Sequence, residues 1–459
     1  MSSITASIFK AYDIRGIVKT DLTPDAVRQI GQAFATESLE QNCKTVVIAR
    51  DGRLSSPELS KALAAGLQAG GCDVIDVGLV PTPVLYFATH YLKTGTGIMI
   101  TGSHNPPEYN GLKMLIAGNS FFGDSIQQLR QRIEDNKLNA GNGSYREEDV
   151  LSAYVDTIIK DVKLAKPMNI AVDCGNGVAS VVAVELFSKL GCNITPMYCE
   201  VDGNFPNHHP DPSKLENLKD ICTKIETDKL DLGLAFDGDG DRVGVIDNNT
   251  NVIWPDRQMI LYAEDVLSRN PGALIIYDIK SSYHLGHAIK KMGGEPLMWK
   301  TGHSFIKTKM KQSGALLAGE MSGHIFFKER WYGFDDGLYS AARMLEILSK
   351  KQESAAEIFG KLPDSFNTPE LQINFAHEGE HYKFMAAFKQ KASFDTADIS
   401  TIDGMRVNWP NGWGLIRPSN TTPCLVLRFE AENEKTLKEI QEKFRTQLLN
   451  MDNQLNLPF

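Results

Sequence analysis

Four short segments of this chain gather residue types that could do chemistry. Thr101-Gly102-Ser103-His104-Asn105-Pro106-Pro107 follows the apolar run Ile98-Met99-Ile100. Gly102 frees the backbone and Asn105-Pro106 forces a turn, so a serine is presented on a tight loop at the end of a strand, where ligands sit in α/β folds. GxSxG is absent, which excludes the hydrolase nucleophile elbow. Asp237-Gly238-Asp239-Gly240-Asp241-Arg242 follows Leu232 to Phe236. Its carboxylates at alternate positions can converge on one hard cation, and without a cation their mutual repulsion is costly. An EF-hand is excluded, because Arg242 stands where its glycine belongs and Asn248 where its glutamate belongs. Arg242 beside the carboxylates suits a phosphate oxygen near a metal. Gly319-Glu320-Met321-Ser322-Gly323-His324 offers an acceptor, a hydroxyl and an imidazole, a set suited to vicinal sugar hydroxyls. Arg417-Pro418-Ser419-Asn420-Thr421-Thr422-Pro423 concentrates a guanidinium, hydroxyls and backbone N–H donors, which suits a phosphate dianion. Taken alone, the first and last segments read equally well as ordinary Ser/Asn/Pro turns.

The elements that would position these segments follow a repeating order. Thr45–Ala49, Asn169–Val172 and Leu274–Tyr277 are apolar strands, each followed by an aspartate-bearing turn: Asp51, Asp173 and Asp278. Helical periodicity comes next, at Leu59/Leu63/Leu67, Val181/Val184/Leu186/Leu190 and Leu285/Ile289/Met292. A glycine stop and a new strand close each copy: Gly70-Gly71 then Asp73–Val77, Gly191 then Asn193–Thr195, Gly293-Gly294 then Pro296–Trp299. The pattern predicts three related α/β domains with mixed or parallel sheets. After Pro363 the units shorten. Strands at Ile402–Val407 and Cys424–Glu430 and a helix at Glu434–Leu449 predict a smaller α+β domain. The expected domains are 1–145, 146–250, 251–364 and 365–459.

With 459 residues, several domain cores can be buried. The net charge of −9 and the lack of a Lys/Arg run argue against nucleic acid, and any anion must find local positive charge. No apolar stretch approaches the length of a membrane span and no secretory signal is visible, so a cytoplasmic protein with no membrane partner is expected. Seven scattered cysteines, an odd number with no CxxC, fit reduced thiols. GxxxxGK[ST], a strand-linked GxGxxG, HExxH and paired-cysteine zinc patterns are all missing.

In their order along the chain, TGSHNPPEYNGLKM, DGDGDR, GEMSGH and RPSNTTP resemble the signatures of the α-D-phosphohexomutase superfamily, and Phe9 to Gly16 resembles its N-terminal signature. Gly102 before the serine, the methionine of GEMSGH, Lys300 to Ser304 and Trp331 to Gly337 are similar to the bacterial phosphomannomutase/phosphoglucomutase subgroup. Phosphoglucosamine mutases usually carry alanine in place of Gly102. The resemblance implies four domains arranged around a central cleft, in an enzyme that interconverts hexose 1- and 6-phosphates of glucose or mannose through a phosphoserine and a 1,6-bisphosphate. Ser103 would carry the phosphate. Asp237, Asp239 and Asp241, with the phosphorylated Ser103, would hold one Mg²⁺. Arg15 and Lys113 would flank the phosphoserine, with Arg242 beside the metal loop. Glu320 and Ser322 would hold sugar hydroxyls, and Arg417, Ser419, Asn420 and Thr421 the non-reacting phosphate. Tyr12, Lys280 and His303 would be further substrate contacts. His324 and Lys113 are the general acid/base candidates. Glucose 1,6-bisphosphate or an equivalent is expected as activator, hexose phosphates as the partners, and a monomer or weak homo-oligomer as the state. A phosphatase would release free phosphate instead, and a mere binding protein would need no nucleophile.

Overall fold

The computed structural model describes residues 4–377, 379–420 and 422–459. Its first three sheets share one topology. In the first, Asp73–Leu79, Thr45–Arg50 and Gly97–Ile100 run parallel, and Tyr109–Ile116 returns antiparallel beside Gly97–Ile100. The second sheet repeats this order with Asn193–Met197, Asn169–Asp173, Leu232–Phe236 and the antiparallel Val243–Asp247. The third repeats it with Glu295–Trp299, Leu274–Asp278, Leu317–Gly319 and the antiparallel Ile325–Phe327. Central strands such as Leu232–Phe236 are buried along their whole length, because helices cover both faces. The first sheet also gains Ile14–Ile17 on Tyr109–Ile116 and Tyr145–Glu147 on Asp73–Leu79.

This common topology places three turns alike. The connection from the third strand to its antiparallel partner is residues 101–108 in the first sheet, 237–242 in the second and 320–324 in the third. These carry the serine, the three aspartates and Glu320 to His324 of GEMSGH.

The fourth sheet is antiparallel, with Cys424–Ala431 beside Gly412–Pro418, then Met405–Trp409 and Asp398–Ser400. The helices Glu380–Lys391 and Glu434–Met451 cover one face through Met385, Phe388, Ile440, Phe444 and Leu448.

Two sequence expectations need correction. Residues 402–404 are not strand; the strand is Met405–Trp409. Asp403 and Gly404 form the turn before it, and Gly404 has a φ of 77°, closed to extended structure. The helix expected through Val181 to Leu190 is broken, with a 3₁₀ turn at Val178–Val181 and an α-helix only from Ala183 to Lys189. The periodicity continued across a bend at Val182.

Candidate active site

Ser103 is the hinge of its loop. It is buried and holds a left-handed φ of 49°. Its amide donates to Thr101 Oγ1 at 2.8 Å. Arg53, buried and paired with Asp51, organises the turn from below. Its Nη2 donates to the carbonyls of Ser103 (2.9 Å) and Asn105 (2.6 Å), and its Nη1 to those of Pro106 (2.6 Å) and Tyr109 (3.0 Å). Asp51 also accepts from the amide of Gly102 at 3.1 Å. A side chain at Gly102 would put Cβ 2.4 Å from the Arg53 guanidinium carbon, so only glycine lets the cation sit so close. Arg15 reaches the loop from the first strand, bonding Asn105 Oδ1 and, at 2.6 Å, Asp13.

The aspartate loop meets the serine directly. Ser103 Oγ donates to Asp237 Oδ2 at 3.2 Å. Asp237, Asp239 and Asp241 are fully buried, and each offers an oxygen within 4.8 Å of the others. Lys113, on the strand Tyr109–Ile116, donates to Asp239 Oδ2 at 2.7 Å and also to Asp241 Oδ2. Arg242 Nε donates to Asp237 Oδ2 at 2.8 Å. Burial drives the Asp237 carboxyl up; Arg242 opposes this, Asp241 and Asp239 reinforce it, and the outcome is about 7. Burial disfavours the charge on Lys113, yet Asp239 and Asp241 outweigh it and hold the ammonium well above its ordinary value. Among the described residues, Asp239 Oδ1 and Asp241 Oδ1 are buried without a hydrogen bond. Unsatisfied hard oxygens on converging carboxylates fit a divalent cation of the Mg²⁺ type.

The third loop closes the other side. His324 lies with Nε2 3.4 Å from Asp241 Oδ1 and Nδ1 3.2 Å from Glu320 Oε2. Ser322 Oγ is 3.0 Å from His324 Nδ1. Burial opposes protonation of His324, but Asp241 and Glu320 prevail and lift it to about 10. His303 stacks on it at 5.5 Å and is driven the opposite way, by burial and then by Lys307, Lys113 and His324 itself. One imidazolium thus lies against one neutral imidazole.

A hydrogen-bonded path joins this centre to the fourth domain. Glu320 Oε1 accepts from the amide of Gly302. The amide of Thr301 donates to Asp403 Oδ2 at 3.1 Å, and Arg417 Nε donates to the same oxygen at 2.9 Å. Tyr12 donates to the carbonyl of Thr301 at 3.0 Å and receives the Asn420 amide. Ser419 Oγ lies 3.0 Å from Thr422 Oγ1. Lys280, in the third domain, pairs with Glu370, in the fourth, at 2.5 Å. Thr421 falls outside the described residues.

Comparison with known proteins decides the family. The phosphoglucomutase/phosphomannomutase family models for α/β/α domains I, II and III match residues 6–140, 152–250 and 254–366, and the model for the C-terminal domain matches 371–447. The chain belongs to this phosphoglucomutase/phosphomannomutase family. A Pseudomonas aeruginosa phosphomannomutase/phosphoglucomutase is 54% identical over 100% of this chain and 98% of its own length. A phosphoglucomutase of Neisseria gonorrhoeae is 52% identical over 97% of each. The crystal structure of a phosphoglucomutase/phosphomannomutase family protein from Burkholderia thailandensis is 50% identical, superposes with a TM-score of 0.94, and covers 99% of this chain and 100% of that one.

In this member of the family, the sequence reading missed several residues that act through others. Asp51 and Asp278 are the recurring strand-end aspartates of the first and third domains. Each accepts the amide of its domain's loop, Gly102 for Asp51 and Met321, at 3.1 Å, for Asp278. The recurrence was visible in the sequence, but its purpose was not. Asp403, which orients Arg417, carried no motif signal, and Asp335, which pairs with Lys307 at 2.8 Å and lies 3.5 Å from His303, stood within the segment Trp331 to Gly337 without a role of its own.

Proposed function

We propose that this chain is a Mg²⁺-dependent phosphohexomutase that interconverts the 1- and 6-phosphates of glucose or mannose. The observation that carries the reading is Ser103 Oγ, fixed in a left-handed turn and 3.2 Å from Asp237 of a buried carboxylate triad. Asp237, Asp239 and Asp241, with the phosphate on Ser103, are the ligands proposed for one Mg²⁺. When bound there, the metal would spread the charge of the transferring phosphoryl group. Arg15 and Lys113 add fixed positive charge beside the serine loop, and Arg242 holds Asp237 in place. Phosphoserine gives its phosphoryl group to the free hydroxyl of the sugar phosphate, the bisphosphate turns over within the cleft, and its other phosphate returns to Ser103.

Glu320 and Ser322 are proposed to bind the sugar hydroxyls, with Lys280 and His303 as further contacts. Arg417, Ser419, Asn420 and Thr421 are proposed to hold the phosphate that is not reacting, with Tyr12 orienting Asn420. Both hexoses fit Glu320 and Ser322, since the sugars differ only at C2. His324 is proposed as the general acid. Its Nδ1 lies 3.2 Å from Glu320 Oε2 and its Nε2 3.4 Å from Asp241 Oδ1, between the sugar loop and the metal loop. Lys113 is the second candidate. Glucose 1,6-bisphosphate or an equivalent would prime the enzyme. We place domain divisions near residues 145, 250 and 364. No helix among the described residues is long and apolar enough to cross a membrane; a cytoplasmic monomer or weak homo-oligomer is the proposed form.

Intact-mass analysis after incubation with glucose 1,6-bisphosphate tests the nucleophile. One phosphate on the parent chain and none on Ser103→Ala is expected. Equal labelling of both proteins would remove Ser103 from the reaction.

A further inference from the structure

We propose that Cys174 and Cys199 form a modification site: a hydroperoxide joins them as a disulfide that lowers turnover by restraining the turn beneath the metal loop. All seven cysteines are free thiols, and this is the one pair among the described residues whose sulfurs touch, at 3.5 Å. The chain segments that carry them already lie side by side. The amide of Cys174 donates to the carbonyl of Met197 at 3.2 Å, and the amide of Asn176 to that of Tyr198 at 2.9 Å. Asn176 Nδ2 adds a bond to the carbonyl of Glu200 at 2.9 Å. A disulfide needs sulfurs about 2.05 Å apart, so closure asks for an approach of roughly 1.5 Å between segments already in register.

The two thiols differ in access. Cys174 is fully buried, whereas Cys199 is half-buried and open to a small oxidant. Hydrogen bonding to Cys199 and then burial keep the Cys174 thiol protonated. The step balances with one hydroperoxide. The sulfur of Cys199 attacks the peroxide oxygen, breaking the O–O bond, forming a sulfenic acid and releasing water (or the alcohol). The sulfur of Cys174 then attacks that sulfenic sulfur and expels water. Two thiols are oxidised by two electrons and one peroxide is reduced.

The link to function is the turn that follows Cys174. The carbonyl of Cys174 accepts from the amide of Gly177 at 2.7 Å, and the amide of Val178 donates to the carbonyl of Gly238 at 3.1 Å. Gly238 lies between the aspartates at 237 and 239. A Cβ at Gly177 would stand 3.0 Å from Gly238, so the turn is pressed against the metal loop with no slack. The neighbouring Asp173 holds His208 at 3.0 Å, and the adjacent His209 bonds the carbonyl of His104 in the serine loop. A displacement at Cys174 therefore bears on both loops.

The test treats the full chain with hydrogen peroxide, alongside Cys199→Ser and Cys174→Ser. Non-reducing peptide mass mapping reads the bond and mutase turnover reads its effect. Mapping does not depend on the proposed activity, so the two ideas fail separately. The expected result is a linked Cys174–Cys199 peptide in the parent protein only, with turnover lowered about threefold or more and restored by dithiothreitol. Cys199→Ser retains hydroxyl hydrogen bonding to the carbonyls of Val172 and Met197, and should keep basal turnover and ignore peroxide. It preserves the test if Cys174→Ser fails to fold. Absence of the linked peptide when other cysteines are oxidised, or a linked enzyme with unchanged turnover, overturns the proposal.

Discussion

Arg53 is the residue on which the serine loop depends most, although it touches no reacting atom. Its guanidinium serves four carbonyls at once, from Ser103, Asn105, Pro106 and Tyr109. A lysine has the charge but not the fork. Arg53→Lys is therefore predicted to lower kcat by roughly 10²-fold, the effect of misplacing a nucleophile by about 1 Å. Circular dichroism should stay native. The aspartate triad makes a second prediction. Asp239 Oδ1 and Asp241 Oδ1 have no hydrogen-bond partner among the described residues, so removing divalent cations should abolish turnover and lower the melting temperature. Added Mg²⁺ should restore both, and should fail to raise the melting temperature of Asp239→Asn. At this scale the sequence was legible where chemistry is concentrated locally, as in Ser103 and the aspartates. Arg53 and Asp403 were not, because Arg53 serves partners about fifty residues away and Asp403 matters through a tertiary contact with Thr301.

At the scale of elements, one topology used three times explains why three unlike loops converge. Each leaves the C-terminal end of the third strand of its sheet for the antiparallel fourth, and the three equivalent loops meet where Ser103 bonds Asp237 and His324 lies against Asp241. The apolar strands and glycine stops were readable because two-sided burial leaves continuous hydrophobic runs. Tyr109–Ile116, which carries Lys113, was read only as part of a motif. Lys113 interrupts its apolar character because it faces Asp239 and Asp241, and Asn110, on the opposite face, because it bonds the hydroxyls of Ser55 and Ser56. The helix Gly337–Ser349 makes a stability prediction. It is buried throughout and carries Arg343, which donates to Asp265 at 2.7 Å and lies 3.2 Å from Glu329. Burial would raise the Asp265 carboxyl, but Arg269 and Arg343 hold it well below the usual carboxylate range. A depressed carboxyl stabilises the fold above its unfolded value of about 4, and that stability is lost as pH falls. Arg343→Met should cost about 3 kcal/mol at neutral pH, and the gap to the parent should narrow between about pH 5 and about pH 3. Urea unfolding at the two ends of that range measures it.

At the scale of the molecule, the first three domains share a continuous apolar core that runs from Val47 through Val172 and Ile275 to Leu338. The fourth keeps its own core and meets the third through a small cluster of Ile279, Trp413 and Leu415. Polar bonds complete that seam: Arg406 to the carbonyls of Ile279 and Ser281, and Ser282 to Glu430. A seam held by one small apolar cluster and polar bonds is predicted to be the one that moves. Small-angle scattering should show compaction with bound glucose 1,6-bisphosphate, and an unchanged profile would argue for a rigid cleft. Everything proposed for the site rests on Ser103 relaying phosphate between the two ends of a hexose. The most direct measurement is ³¹P NMR of the purified chain with Mg²⁺, a trace of glucose 1,6-bisphosphate and either glucose 1-phosphate or mannose 1-phosphate. A growing 6-phosphate resonance, greatly slowed in Ser103→Ala, is the predicted result, and its rate ranks the sugars. Free phosphate in place of that resonance, or an equal rate in Ser103→Ala, would contradict the account.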